Sequence, residues 1–148
     1  MKRRNYLGAL LALPVANLGT AKSKKVVLSV VLFNYLDRPI FDVFVDGKMG
    51  FGSDAFPATG GGIVTGVAFE LGPKKVSWRL DGPAGTRRNG ETVFNKNPLR
   101  LDAVVPKARY LGVHIYPDDT VELITSVSLP DKTKRGIAMV EQTNSHRG

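Results

Sequence analysis

The chain has 148 residues, no cysteine, and 21 Lys and Arg against 13 Asp and Glu, for a formal charge of +8. Without cysteine there are no disulfides, thiolate metal centres or cysteine nucleophiles, so packing and hydrogen bonds alone must stabilise the fold. The basic residues fall in small groups (Lys22/Lys24/Lys25, Lys74/Lys75, Arg87/Arg88, Lys132/Lys134/Arg135) without the interleaved aromatics of single-strand binders, which argues against a nucleic-acid partner.

The first segment reads Met1-Lys2-Arg3-Arg4, then an apolar run from Tyr6 to Leu18 interrupted by Pro14 and Asn17, then Gly19-Thr20-Ala21. A basic start, a short apolar middle and small residues before a polar segment form the pattern of a secretory signal peptide, expected over residues 1–21 as a helix. The run is shorter than the roughly 20 residues that cross a bilayer. Because no cysteine follows it, export is expected to deliver a non-lipidated protein to the periplasm. Its removal takes three of the eight formal positive charges with it.

From residue 22 onward helical periodicity is nearly absent and period-two alternation recurs. Val26–Phe33 is a near-continuous apolar run rich in β-branched residues and is predicted as a central strand. Over Ile40–Asp46, Phe41, Val43 and Val45 are predicted on one face, Asp42, Phe44 and Asp46 on the other. Asp46-Gly47 is a two-residue hairpin signal. The Gly60–Gly62 run opens a strand over Ile63–Leu71, with Ile63, Thr65, Val67 and Phe69 on one side, and Gly72-Pro73 is expected to break it. Over Lys75–Leu80, Val76, Trp78 and Leu80 alternate inward. Asp81–Glu91, with three glycines and a proline, is expected as a mobile loop.

Weaker strands are predicted at Thr92–Asn95 and Leu99–Val105. Arg109–Tyr116 and Thr120–Ser128 flank the turn residues Pro117-Asp118-Asp119. A polar tail follows Pro130, with an apolar patch at Ile137–Val140 as a possible edge strand. Together these predict an all-β fold: one antiparallel sandwich or barrel domain of seven to eight short strands over residues 22–148.

Chemistry is sparse. No Gly-x-Ser-x-Gly elbow occurs, and Gly61 and Gly66 have the outer spacing of a phosphate loop but lack its Lys-Ser/Thr. Asp118-Asp119 is ordinary turn chemistry. His114 shares strand parity with Tyr110 and Tyr116, and is either a titratable group on a binding face or half-exposed sheet decoration. No catalytic residue, cofactor or metal site is predicted. Aromatic and Arg residues are the usual anchors of protein interfaces. The candidate partner-binding residues are accordingly Phe51, Phe56, Arg87, Arg88 and His114.

The stretches Asn34-Tyr35-Leu36-Asp37-Arg38-Pro39-Ile40, Phe44-Val45-Asp46-Gly47, the Gly60–Gly62 run, Trp78 with Asp81-Gly82-Pro83, and Gly112-Val113-His114-Ile115-Tyr116-Pro117-Asp118 resemble the proteobacterial family called domain of unknown function 3304. The likeness covers most of residues 26–128. Members are small exported proteins, many of them lipoproteins, associated with type VI secretion loci near genes for antibacterial lipase effectors. The resemblance implies a periplasmic immunity protein that neutralises such an effector by occlusion. The alternative is an envelope structural protein, or one that binds anionic lipid headgroups through its basic groups. Neither reading requires enzymatic activity.

Overall fold

The structure, a computed structural model, describes residues 24–57, 62–102 and 104–148. The expected signal segment and the first two residues of the Gly60–Gly62 run lie outside the described residues. Among the described residues there are ten strands and one helix: β1 (Lys25–Asn34), β2 (Ile40–Val45), β3 (Lys48–Ser53), β4 (Ile63–Glu70), β5 (Gly72–Lys74), β6 (Val76–Leu80), β7 (Thr92–Phe94), β8 (Leu99–Leu101), β9 (Tyr110–Ile115), β10 (Val121–Ser126) and α1 (Lys134–Ser145). A four-stranded sheet β10-β9-β1-β4 packs on a second, β3-β2-β6-β7, and β5 and β8 form a short two-stranded ribbon. The protein is an all-β sandwich whose main core joins Leu28, Val30 and Leu32 of one sheet to Val43, Val45, Trp78 and Leu80 of the other.

The first sheet is mixed, which corrects the expected antiparallel arrangement. β1 runs parallel to β9, with Ser29 opposite Tyr110 and Asn34 opposite Ile115. Strands covered on both faces read as continuous apolar runs, as parallel strands do. Leu28, Val30 and Leu32 of β1 face the main core, whereas Val31 and Phe33 face a second cluster with Tyr35, Tyr116 and Val140. The unbroken apolar run Val30–Phe33 follows from that double burial, whereas Val27 on the outer face is exposed.

Two expected strand parities are overturned by bulges. In β2 the register shifts and Asp42 takes φ 47°. Val43 and Val45 consequently point into the core, while Phe41 turns away beneath the Arg79 guanidinium, 4.8 Å from its ring centre. In β4 the register shifts where Gly66 has φ 69°. Val64 and Val67 pair with the inward residues Val30 and Leu28, and Ile63 falls opposite Val31 on the other face. An extra residue in one strand reverses the side of all that follow.

The β2–β3 hairpin forms where expected. Asp46 and Gly47 have φ 49° and 73°, the paired positive values of a type I′ turn. The strand count exceeds seven to eight because β3 and β5 are diluted by glycine and proline, which hides their alternation. β4 ends at Glu70, just before Gly72-Pro73 as expected, and Gly72-Pro73 then opens a further short strand, β5, which pairs with β8.

The largest departure is at the C-terminus. The expected polar tail and edge strand at Ile137–Val140 are instead the helix α1, capped by Thr133, whose side chain accepts the Gly136 N–H. Gly136 and Val140 are its buried residues. Four residues apart, they share one face, and that face lies on the outer side of the first sheet.

Candidate functional site

The segment Asn34–Pro39 leaves β1 and organises one end of the sandwich. Asn34, fully buried, donates its amide to the carbonyls of Arg38 (2.9 Å) and Asp54 (3.1 Å) and accepts the Leu36 N–H (3.0 Å). These bonds satisfy the polar groups of a tight turn and fix its shape. Leu36 and Ile40 enter the core. The remaining side chains of the segment are thereby aimed at three different neighbours.

Tyr35 turns toward α1. Four rings lie nearly parallel on the outer face: Phe33 on His114 (4.5 Å, 7°), His114 on Tyr35 (5.9 Å, 14°) and Tyr35 on Tyr116 (5.2 Å, 12°). The Thr133 N–H donates to the Tyr35 hydroxyl at 2.8 Å. That directs the phenolic proton at His114 Nδ1, 3.0 Å away, and we assign the ring's own proton to Nε2. The Thr133 hydroxyl accepts the Gly136 N–H (3.0 Å) and donates to the Tyr116 hydroxyl (2.9 Å), which donates to Glu122 Oε2 (2.6 Å). One threonine therefore caps the helix and latches it to the tyrosines that directly follow β1 and β9. A Cβ on Gly136 would sit 2.3 Å from Tyr35 Cε1, so only glycine allows this approach.

His114 is 1% exposed. Burial drives its pKa down to about 4, against the opposing charge of Glu122, so the imidazole is neutral at pH 7. Burial likewise raises the Tyr35 and Tyr116 hydroxyls above their ordinary value. Roofed by α1 and stacked behind Tyr35, His114 helps hold the helix in place and is itself shut away from solutes.

Beside this network the chain forms a cleft of about 180 Å³. Tyr35, Phe56, Pro57 and Pro117 form one side, Val140, Thr143 and Asn144 of α1 the other, and Asp37 stands among them. The guanidinium of Arg147, just past the helix end, reaches back to the Asp37 carboxylate. Arg38, one residue on, faces the opposite way. Its guanidinium donates to the carbonyls of Asp81 (2.9 Å) and Arg87 (2.8 Å) and to Asn89 Oδ1 (2.8 Å). The Asp81–Glu91 segment, expected to be mobile, is therefore clamped, and further tied by Asn89 to Pro83 and by the Thr86 hydroxyl to the Pro83 carbonyl.

Of the residues singled out from sequence, Phe56 lines the cleft and His114 lies one ring behind it, beneath Tyr35. Phe51 sits in β3 against the main core. Arg88 forms a two-pronged ion pair with Glu91 (2.8 and 2.7 Å), while the Arg87 side chain is exposed. None of these three lines the cleft. Tyr35, Asp37, Thr133 and the face of α1 were not singled out. Their signal is the polar Asn-x-x-Asp-Arg-Pro interruption after an apolar strand, and the Gly136/Val140/Thr143 spacing of a short helix. Among the described residues no group of three or more His, Asp or Glu is placed to hold a metal ion, and no helix is long and apolar enough to cross a membrane. No protein-family model, curated protein or solved structure matches the chain.

Proposed function

We propose that this chain is a periplasmic binding protein without catalytic activity, an immunity protein that neutralises a secreted lipase-class effector by covering its active or membrane-docking surface. The observation that carries this reading is the preorganised end of the sandwich. Asn34 locks the Asn34–Pro39 turn and Arg38 clamps the Asp81–Glu91 loop through side-chain bonds to backbone, and a small cleft opens between the first of these and α1. Loops ordered before contact spend less conformational entropy on binding, which favours tight complexes. The signal-like N-terminal pattern and the family resemblance supply the compartment and the partner class. Phe56 is the aromatic anchor candidate at the cleft, and Arg87 the cationic one on the clamped loop.

The test is co-expression with a lipase-class effector encoded in the adjacent genes. The reading expects protection from periplasmic toxicity and a complex that survives co-purification; absence of both overturns it. A second reading, binding to anionic headgroups, is favoured by the exposed Arg87 and by a net charge that stays positive after the three cationic residues of the signal segment are removed. It expects sedimentation with anionic liposomes that disappears as salt rises.

A further inference from the structure

We infer that the cleft between α1 and the Asn34–Pro39 loop is a socket for a single basic side chain, of the arginine type, donated by a partner protein. Its size sets the scale. At about 180 Å³ it falls below the roughly 300–1,000 Å³ of sites for cofactors and drug-sized ligands. It is close to the roughly 150 Å³ that holds one benzene-sized group. The guest is therefore one side chain, not a cofactor.

Its lining sets the chemistry. Phe56, Pro57 and Pro117 offer a ring and aliphatic edges to a stem over a buried floor of Tyr35 and Val140, and Asp37 is the one charged group among the lining residues. A long aliphatic stem ending in a planar cation matches both parts: the stem lies along apolar surface and the head meets the carboxylate. The chain already displays the interaction, because Arg147 places its own guanidinium on Asp37 while its side chain stays 62% exposed. Arg147 comes from the outer end of α1 and does not itself line the cleft. An incoming arginine entering through the cleft replaces one guanidinium by another, so the charge at Asp37 is unchanged and the apolar walls are gained. Lys132 over the Phe56 ring, 5.6 Å from its centre, shows the same ring already serving a cation from its other neighbour.

The identity of the guest as a partner's side chain rests on the binding-protein reading; the socket itself does not. The experiment follows amide signals of the full chain by NMR during titration with N-acetyl-arginine amide and with N-acetyl-citrulline amide, its uncharged isostere. The arginine compound is expected to shift Asp37, Phe56, Thr143 and Asn144, with the citrulline compound roughly tenfold weaker for want of a charge-assisted bond. Arg147→Gln removes the internal competitor and is expected to tighten arginine binding several-fold. Asp37→Asn abolishes the preference for arginine while the Trp78 indole signal, deep in the core, reports an intact fold. Equal binding of the two compounds, or no binding even to Arg147→Gln, overturns the socket. Because no effector is present, that failure is distinct from a failed co-purification, which would overturn the binding-protein reading instead.

Discussion

Acid should loosen this protein between about pH 6.5 and 4, and His114 is the reason. In the unfolded chain the imidazole titrates near its ordinary value of 6.5, whereas burial between Phe33 and Tyr35 lowers it to about 4 in the fold. The unfolded state therefore binds a proton that the folded state refuses. Stability attributable to this group is complete above pH 6.5, falls as pH drops and levels off below about 4. At about 1.4 kcal/mol per pH unit, the full loss is about 3 kcal/mol, of which about 2 kcal/mol falls between pH 7 and 4.5. The carboxylates held low by ion pairs, Glu91 by Arg88 and Asp102 by Arg100, start from 4.5 and 3.8 and so act mainly below this window. Urea unfolding followed by fluorescence of the single tryptophan, Trp78, measures the loss, and His114→Gln should remove the slope between pH 6.5 and 4.5. A flat wild-type profile, a variant that keeps the slope, or an imidazole that titrates near 6.5 by NMR would refute the assignment.

Three further outcomes follow from the latch and the hairpin. Gly136→Ala should destabilise by about 1 kcal/mol or more despite the better helix propensity of alanine, because its Cβ meets Tyr35 at 2.3 Å; a stabilised variant in thermal melts would contradict the close approach. Thr133→Val removes both the cap and the bond to Tyr116 and should cost about 1 kcal/mol. Its signature in hydrogen exchange is faster opening of Lys134–Ser145 with β6 unaffected. Gly47→Val forces a β-branched residue to φ 73° and should cost about 1–2 kcal/mol in denaturant unfolding.

The sandwich was readable because its strongest signals are local. Val26–Phe33, the Val76/Trp78/Leu80 alternation and Asp46-Gly47 each report their own backbone, and each forms as expected. What stayed hidden depends on residues far apart. The bulges at Asp42 and Gly66 reverse side-chain parity without any change in hydrophobic composition, so Phe41 and Ile63 looked like core residues. Pairing of β5 with β8 is visible only from the partner strand. The helix escaped because its apolar residues Ile137 to Val140 run consecutively, and its key contact is made by a glycine. The cleft was legible only in part. Phe56 stood out as an aromatic in a loop, but Asp37 and Thr143 become neighbours only once α1 folds back over Tyr35.

The parallel pairing of β1 with β9 also governs the order in which the chain can mature. β1 carries a long apolar run and is the first of the described strands to emerge, yet its parallel neighbour, Tyr110–Ile115, and the helix that roofs it, Lys134–Ser145, lie in the last third of the sequence. Contacts so distant along the chain are slow to form. Until they do, Val26–Phe33 is a β-prone, uncharged segment without its parallel edge partner or the helix over its outer face, open to association with its like. Shielding of one early strand thus waits on two elements that lie far along the sequence from it.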